Sequence, residues 1–419
     1  MSRQRDSSIM KFRKYQTDII KKGVKIMSKH GFVYLAMEVR TGKTLTSLGI
    51  CRDLGVREVL FLTKKKAIGS INSDCEKLNL PYLNVFTINY ESMHKIPEGK
   101  WDVIICDEAH SLGAFPKPNK RAKQVRNLIY KSRARVILLS GTPTPESYSQ
   151  MYHQVYGIIN SPFSDFKNFY RFSDLFVDVI EKRINGLIIR DYSRGSDRIL
   201  KQMKPYMIQF SQQDAGFKTE TTEQILNVVM RPETYTLAKR LKKHLVIEGE
   251  EEVVLADTPV KLMMKLHQIY SGTIKFESGN SMVLDDSKAK FIKEKFKGNK
   301  IGIFYKFKEE LNAIKSIWGD KITTDLQDFQ DGEKDIALQI VSGREGISLR
   351  QADCLVYYNI DFSATSYWQS RDRMTTKDRL KNNVYWVFAN KGIESKIYNA
   401  VVKKKDYTLK HFKKDLISL

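Results

Sequence analysis

A glycine, a lysine and a threonine follow one another at residues 42–44, after the apolar run VYLA (33–36) and before an amphipathic stretch. A strand, this tripeptide and a helix in succession are typical of a phosphate-binding loop, in which main-chain N–H groups surround the phosphates. In such a loop Lys43 reaches the β- and γ-phosphates and Thr44 holds Mg²⁺. Met37 replaces the usual first glycine, and a GKT tripeptide by itself also arises by chance.

Two adjacent carboxylates, Asp107 and Glu108, follow the apolar run VIIC (103–106). Open α/β sheets bind their ligands at the carboxyl ends of the strands. Asp107 is suited to hold Mg²⁺ through water, and Glu108 to orient and deprotonate an attacking water. The alternative is that the pair caps the next helix, but the upstream GKT loop favours hydrolysis of a nucleoside triphosphate such as ATP.

Short apolar runs bounded by polar turns predict the strands of an α/β fold with parallel sheets. The first series lies at residues 33–36, 59–63, 83–87, 103–107 and 136–140. The second series lies at residues 301–305, 336–341, 354–358 and 384–388. Two α/β lobes in one chain are the simplest interpretation.

The stretch between the lobes has a different composition, with charged helix-like pieces such as ETYTLAKRLKKHL and the acidic patch EGEEE (248–252). We interpret it as a helical insertion. The predicted domains are therefore an N-terminal lobe at 1–160, the insertion at 161–285, and a C-terminal lobe with a basic tail at 286–419.

The net charge of +23 makes nucleic acid the first partner to consider. A lysine-rich proteome or an anionic membrane surface would also explain it. No apolar run approaches the roughly 18 residues of a membrane span, and the basic start lacks the apolar stretch of a signal peptide. The four cysteines are scattered, which does not favour a zinc site or disulfides. We expect a soluble protein of the cytoplasm, without a membrane partner.

Eight short motifs then resemble, in order, those of superfamily 2 helicases. They are FRKYQ (12–16), TGKT (41–44), FLTKKK (61–66), NYES (89–92), DEAH (107–110), SGTP (140–143), GREGISL (343–349) and QSRDR (369–373). The match covers about residues 10–155 and 290–405, and it is most similar to the Swi/Snf-type branch of double-stranded DNA translocases, including compact versions encoded by tailed phages. The resemblance implies two RecA-like lobes in tandem with a short helical insertion between them.

The resemblance also implies roles for residues of the first lobe. Gln16 would read the adenine edge, although a glutamine in a basic helix is ordinarily a surface residue. The ATP-binding loop would comprise Arg40, Thr41, Gly42, Lys43 and Thr44. Coupling between nucleotide and nucleic acid would involve His110, Ser140 and Thr142. Contacts with nucleic-acid phosphates would come from Thr63, Lys64, Lys65, Asn89 and Tyr90, although the lysine run is otherwise simply a solvated loop.

In the second lobe the resemblance assigns Ser342 and Arg344 to nucleic acid, and Gly346 and Gln369 to the nucleotide. Arg373 would be a catalytic arginine that reaches the γ-phosphate. Thr376 replaces the second arginine of this motif, so that Arg373 acts alone or Lys377 or Arg379 substitutes. Arg40 stands where a small residue is usual, and either crowds the phosphates or adds a positive charge.

The sequence thus predicts an ATP- and Mg²⁺-dependent DNA translocase or helicase acting on duplex or branched DNA. We expect a monomer, with replication or recombination proteins as possible partners, in phage recombination, replication or repair and in the cytoplasm of a bacterial host. One alternative is a DEAH-type RNA helicase. The other is a nucleic-acid clamp that binds ATP with little hydrolysis, which Arg40 and Thr376 motivate.

Overall fold

The computed structural model describes residues 11–184, 187–343, 347–376 and 378–403. The chain divides into two compact units, Met1–Phe217 and Lys218–Leu419. Each unit is built on a six-stranded sheet with helices. The structure therefore confirms the predicted α/β class and the two RecA-like lobes in tandem.

The helices and strands of the first unit follow one another along the chain with short connections. They are α1 (Lys14–His30), β1 (Phe32–Met37), α2 (Lys43–Asp53), β2 (Glu58–Thr63), α3 (Ile68–Leu78), β3 (Asn84–Asn89), β4 (Val103–Cys106), α4 (Lys120–Ser132), β5 (Arg135–Leu139), α5 (Met151–Val155), α6 (Phe169–Phe176), β6 (Ile180–Ile184), β7 (Leu187–Asp191), α7 (Arg198–Met203) and β8 (Met207–Phe210). Short 3₁₀ helices include Tyr90–Lys95 and Ala109–Leu112.

The sheet of the first unit has the order β3-β2-β4-β5-β1-β8, and all its strands pair in parallel. Alternate side chains of β1 enter two apolar layers, Val33 and Leu35 on one face and Phe32 and Tyr34 on the other. Because apolar layers cover both faces, the central strands are apolar along their length. This is why the five apolar runs of the first lobe overlap β1 to β5.

Helix α1 shows how sequence periodicity sets burial. Its buried residues include Gln16, Ile19, Ile20, Gly23 and Met27, which recur every three or four positions as expected for one face of a helix. The helix ends at Gly31, whose φ of 76° is the left-handed conformation common after a helix. None of the helices in the described part of the chain is long and apolar enough to cross a membrane.

The second unit continues the alternation. Its elements are β9 (Glu220–Val228), α8 (Pro232–His244), β10 (Val246–Glu248), β11 (Val253–Leu255), α9 (Pro259–Tyr270), β12 (Thr273–Lys275), β13 (Ser281–Val283), α10 (Ser287–Lys295), β14 (Ile301–Tyr305), α11 (Lys308–Trp318), β15 (Ile322–Thr323), α12 (Leu326–Asp331), β16 (Asp335–Gln339), α13 (Ile340–Gly343), β17 (Cys354–Tyr357), α14 (Ala364–Ser370), β18 (Lys381–Ala389) and α15 (Glu394–Val401). A 3₁₀ helix spans Arg371–Met374.

The main sheet of the second unit has the order β15-β16-β14-β17-β18-β9 and is also parallel. The four apolar runs predicted for this lobe overlap β14, β16, β17 and β18. Strand β9 pairs with β18 over nine residues, from Glu220 opposite Lys381 to Val228 opposite Ala389. The second sheet therefore gains an edge strand from the segment predicted as the insertion.

Residues 161–285 are not one helical body. They contain the hairpin β6–β7, the strand β8 that joins the first sheet, and the strand β9 that joins the second. β8 and β9 are edge strands, and their sequences MIQF and ETTEQILNV lack the continuous apolar character of buried strands. The structure thus divides this segment at residue 217 between the two units.

A fully buried ion pair stabilises the second unit. Lys288 of α10 and Glu394 of α15 have no exposed side-chain surface, and Nζ lies 2.7 Å from Oε1. The Lys288 ammonium also donates to the carbonyl of Tyr358 at 3.2 Å. Two charges withdrawn from water in this way depend on each other, because either one alone would be buried without a counter-charge.

We expect Lys288→Met to lower the free energy of unfolding of the second unit by about 3–5 kcal/mol, since Glu394 loses its cation. Urea denaturation followed by tryptophan fluorescence measures this change, because three of the four tryptophans lie in that unit. Lys290→Met on the same helix is the control, since this lysine side chain is 59% exposed in its pair with Asp286. The control should lower the free energy of unfolding by less than about 1 kcal/mol. Equal losses in the two variants would contradict a stabilising role for the buried pair.

Candidate functional site

The phosphate-binding loop lies between β1 and α2, at the carboxyl end of β1. Gly42 precedes the helix with φ of 83°, and Lys43 and Thr44 form the first turn of α2. The Lys43 ammonium donates to the carbonyl of Glu38 at 3.4 Å, and it lies 3.7 Å from the position that a Cβ would take on Gly141. The loop and the SGTP segment therefore meet at the Lys43 ammonium.

Two further loop residues that we predicted have defined local roles. Arg40 has φ of 63°, a left-handed conformation that is unusual for a residue other than glycine. The buried Thr41 donates its hydroxyl to the carbonyl of Glu38 at 2.7 Å, and its own carbonyl accepts from the Tyr15 hydroxyl at 3.2 Å. These contacts fix the turn that directs the loop into α2.

Gln16 lies against this loop rather than on the surface. Its side chain is 3% exposed, and Oε1 accepts from the main-chain N–H of Arg13 at 2.9 Å. A Cβ on Gly42 would clash with Nε2 of Gln16. The structure therefore brings Gln16 to the nucleotide-binding loop, and its recognition of adenine stays a prediction.

The carboxylate pair follows β4 directly. The Asp107 Oδ2 accepts from the Thr63 hydroxyl at 2.8 Å. Burial, and next the charge of Glu108, raise the pKa of Asp107 to about 6, while Lys43 and Thr63 act in the opposite direction. Glu108 has φ of 50° and ψ of 47°, and it is the second residue other than glycine, after Arg40, that is left-handed at the site.

The residues predicted to couple the two ligands lie close together. His110 is 8% exposed, and its Nδ1 is 3.0 Å from the Ser140 hydroxyl and 3.3 Å from Oε2 of Glu108. The Ser140 oxygen also accepts from the main-chain N–H of Thr142 at 3.1 Å. The DEAH and SGTP segments are thus joined through one histidine and one serine.

The residues predicted to contact nucleic acid divide into two kinds. Lys65 and Lys66 are exposed and Lys64 and Asn89 are half-buried, as surface contacts require. Thr63 and Tyr90 have relative exposures of 0% and 2%. The side chains of these two residues face the interior of the first unit.

The sequence motifs missed a group that supports the loop from β8. The carboxylate Oε2 of Glu38 accepts from the N–H of Gln212 at 2.7 Å, and Nε2 of Gln212 donates to the carbonyl of Val39 at 3.0 Å. The ring of Tyr15 stacks on Phe210 with 4.7 Å between centroids. Its sequence signal is weak: the partly apolar run MIQF precedes the polar turn SQQD, as at a strand end, but nothing in it points to the loop.

In the second unit the structure describes part of the predicted site. Ser342 lies in α13 and donates its hydroxyl to the carbonyl of Gln339 at 3.2 Å. Gln369 lies in α14. The predicted residues Arg344 and Gly346, and the alternative Lys377, lie outside the described residues.

Arg373 lies in the 3₁₀ helix that follows α14 and is 8% exposed. Its Nη1 is 3.4 Å from the carbonyl of Ile347. Arg379 instead donates to the carbonyls of Arg350, Ala352 and Asp353 at 3.2, 2.8 and 2.8 Å, next to the amino end of β17. Arg379 therefore holds the main chain there in this structure, and its role as a substitute catalytic arginine stays a prediction.

A carboxylate that the motifs did not indicate holds the segment carrying Arg373. Glu223 of β9 accepts from the hydroxyl of Tyr367 at 2.8 Å and from the guanidinium of Arg371 at 2.8 Å. It also accepts from the indole of Trp386 at 2.9 Å and the hydroxyl of Tyr398 at 3.2 Å. Four donors on one carboxylate join β9, α14, β18 and α15.

The residues of the first unit fit a nucleoside triphosphate with Mg²⁺. Gly42 leaves a space that a side chain would fill, and the start of an 11-residue helix offers main-chain N–H groups to phosphate. Lys43, Thr44 and Asp107 supply an ammonium, a hydroxyl and a carboxylate. Among the described residues no group of three or more His, Cys, Asp or Glu could hold a metal by itself, and nucleotide-bound Mg²⁺ needs only one or two protein carboxylates.

A comparison with protein families then identifies the fold's relatives. The model of the SNF2-related domain matches residues 59–273, just over half of the chain. The chain belongs to the SNF2-related family. The match begins at β2 and includes Asp107, Glu108 and the strands β8 and β9, so the resemblance to the Swi/Snf-like branch of superfamily 2 is confirmed.

Among solved structures, the SNF2-related chain is similar to the SWI2/SNF2 ATPase core of Sulfolobus solfataricus in complex with dsDNA. The two share 15% identity with a TM-score of 0.44, over 98% of this chain and 94% of that one. It is also similar to a second structure, the Sulfolobus solfataricus SWI2/SNF2 ATPase core domain, at 14% identity and a TM-score of 0.42, over 95% and 90% of the two chains. No curated protein matches the sequence. The family assignment rests on the domain model.

In this SNF2-related chain, Gly42→Ala should abolish most nucleotide binding, because the new Cβ meets Gln16 and the backbone is left-handed. Gly55→Ala is the matched control, since Gly55 has φ of 65° but nothing within 4 Å of its Cβ position. Both changes cost roughly 1–2 kcal/mol of backbone strain. We expect only Gly42→Ala to weaken binding of a fluorescent ATP analogue, by about tenfold or more. Similar affinities for the two variants would contradict the assignment of Gly42 to the phosphate-binding loop.

Proposed function

We propose that this chain is a nucleic-acid-stimulated ATPase that uses ATP hydrolysis to move along, or to remodel, duplex or branched DNA. The observation that carries the proposal is the meeting of Lys43, Asp107 and Glu108 at one edge of a parallel sheet in an SNF2-related chain. Ligands of open α/β sheets bind at this edge.

The roles follow from the chemistry of each group. Lys43 neutralises phosphate charge, and Thr44 and Asp107 hold Mg²⁺, which when bound offsets the charge that develops on the phosphates. Glu108 accepts the proton of the attacking water, which it is placed to orient. His110 and Ser140 connect Glu108 to the SGTP segment, and so transmit conformational changes between Glu108 and that segment. The role of Arg373 as a catalytic arginine stays a prediction.

The basic surface of the first unit supports a polyanionic partner. From Ala109 to Pro145 the sequence has eight lysines and arginines and no aspartate or glutamate. The exposed members of this stretch are Lys117, Lys120, Lys123, Lys131, Arg133 and Arg135. An excess of positive charge attracts a phosphate backbone regardless of its sequence, and membership of the SNF2-related family favours DNA over RNA.

The biological setting is part of the proposal. The short segment between the two predicted lobes motivates a compact, phage-type enzyme of recombination, replication or repair. We propose that it acts as a monomer in the cytoplasm of a bacterial host, with replication or recombination proteins as partners.

Glu108→Gln should leave ATP binding intact and reduce turnover by about 10²- to 10⁴-fold, because the amide cannot accept the proton of water. Binding is measured with a fluorescent ATP analogue, and turnover by phosphate release with duplex DNA present. Lys43→Ala, which should lose binding itself, separates the two effects. Normal turnover in the Glu108 variant would show that another group is the base.

A panel of nucleic acids tests the proposed partner. ATPase activity should rise with duplex, forked or Holliday-type DNA more than with single-stranded DNA or RNA. Stimulation by RNA alone would favour the RNA-helicase alternative. A rate equal to that of Lys43→Ala with every nucleic acid would favour the clamp.

Removing charge from α4 should weaken DNA binding in proportion to the phosphates lost. For Lys123→Gln with Lys131→Gln, the slope of log affinity against log salt should become shallower by about 1.8, or 0.9 for each duplex phosphate contact. Lys308→Gln with Lys315→Gln on α11, next to Glu309, is the control and should leave the slope unchanged. Equal slopes for both double variants, measured by fluorescence anisotropy, would exclude α4 from the binding surface.

A further inference from the structure

Three hydrogen bonds hold Asp107 from two neighbouring segments of the chain. Its N–H donates to the carbonyl of Leu62 at 2.8 Å, and its Oδ2 accepts from the Thr63 hydroxyl at 2.8 Å. Its carbonyl accepts from the Tyr90 hydroxyl at 2.6 Å. The β2 segment therefore holds the side chain and the N–H of Asp107, and the segment that begins at Tyr90 holds its carbonyl.

Each of these segments continues at once into polar surface. Thr63 is the last residue of β2 and precedes Lys64, Lys65 and Lys66, of which the last two are exposed. Tyr90 opens the 3₁₀ helix that follows Asn89 at the end of β3. Thr63 and Asn89 are paired in register between β2 and β3, so the two segments leave the sheet side by side.

A second layer of contacts ties Tyr90 to its surface neighbours. The guanidinium of Arg121 lies over the Tyr90 ring, 4.8 Å from its centroid. The same guanidinium is 2.5 Å from Oε1 of Glu91, whose Oε2 accepts from the side-chain amide of Asn89 at 3.2 Å. A change at Asn89 or Glu91 would therefore alter the surroundings of the Tyr90 phenol, whose hydroxyl donates to Asp107.

The burial of Thr63 and Tyr90 decides which role they can have. With relative exposures of 0% and 2%, neither hydroxyl is a surface donor to phosphate in this structure. Both hydroxyls instead point at the residue that the proposed function assigns to Mg²⁺.

We infer that Thr63 and Tyr90 are positioning residues that link a phosphate backbone bound at Lys64–Lys66 and Asn89–Glu91 to Asp107. The inference rests on the proposed function and adds a connection through β2 and β3 to the one through His110 and Ser140. Binding at the surface segments shifts Thr63 and Tyr90 and so the Asp107 carboxylate. By linkage, nucleotide with Mg²⁺ at Asp107 must then change the affinity for DNA by the same factor.

Single-atom substitutions test this connection. Tyr90→Phe removes only the hydroxyl, Thr63→Val removes the donor at nearly constant shape, and Thr63→Ser keeps it. Tyr152→Phe is the matched control, because Tyr152 is also buried in the first unit and donates to a main-chain carbonyl, that of Phe166 at 3.1 Å. Tyr152 lies in an aromatic cluster with Phe169 and Phe172 rather than beside Asp107.

The decisive measurement is a binding ratio rather than a rate. Affinity for a fluorescent DNA duplex is determined by anisotropy without nucleotide, and again with Mg²⁺ and a non-hydrolysable ATP analogue. We expect Tyr90→Phe and Thr63→Val each to move the ratio of these affinities towards one by roughly two- to tenfold, the equivalent of one hydrogen bond. Affinity without nucleotide should change less than about twofold, and Thr63→Ser and Tyr152→Phe should keep the wild-type ratio.

The outcomes separate the inference from the proposed function. Absence of DNA-stimulated ATPase activity in the wild type would overturn both. Two outcomes would overturn the inference alone, provided that DNA stimulates the ATPase activity. One is a wild-type affinity ratio in both Tyr90→Phe and Thr63→Val. The other is an affinity ratio of one in the wild type. An equal loss in Tyr152→Phe would also overturn it, since the effect would then reflect general loosening of the unit.

Discussion

Parallel pairing in register is the constraint on which the first unit depends. Leu62 of β2 lies opposite Cys106 of β4, and Cys106 lies opposite Leu138 of β5. Parallel strands leave their carboxyl ends at one edge of a sheet. The residues that follow these strands, including Asp107 and Ser140, therefore meet without any need for long loops. A slip of one residue in this register would reverse the side-chain directions of a whole strand.

The same constraint explains what could be predicted from the sequence. The central strands β1, β2, β4 and β5 are largely buried and therefore mostly apolar, which makes them visible as runs. The edge strand β3 is only partly buried but contains the apolar residues Val85, Phe86 and Ile88. The GKT tripeptide and the pair Asp107-Glu108 are contiguous motifs, so neither depended on knowing the fold. Their meeting followed from placing each at the carboxyl end of a strand.

Features that arise from contacts distant in the sequence could not be predicted. The edge strands β8 and β9 are short or polar, so nothing in their composition showed that β8 brings Gln212 to the phosphate-binding loop. The carboxylate of Glu223 collects donors from residues up to 175 positions away. The burial of Thr63 and Tyr90 also escaped sequence reasoning, since a motif gives residue identity and the direction of a side chain depends on its neighbours.

The left-handed backbone at Glu108 has a consequence for how this protein can change. A residue other than glycine costs roughly 1–2 kcal/mol in that conformation. Arg40 of the phosphate-binding loop is left-handed as well and carries a similar cost. Glycine at position 108 would relieve the strain and would remove the carboxylate to which the proposed mechanism assigns the proton of water. Under that mechanism, selection for thermal stability alone would favour an inactive protein at this position. The left-handed Glu108 would then be an instance of the conflict between stability and activity.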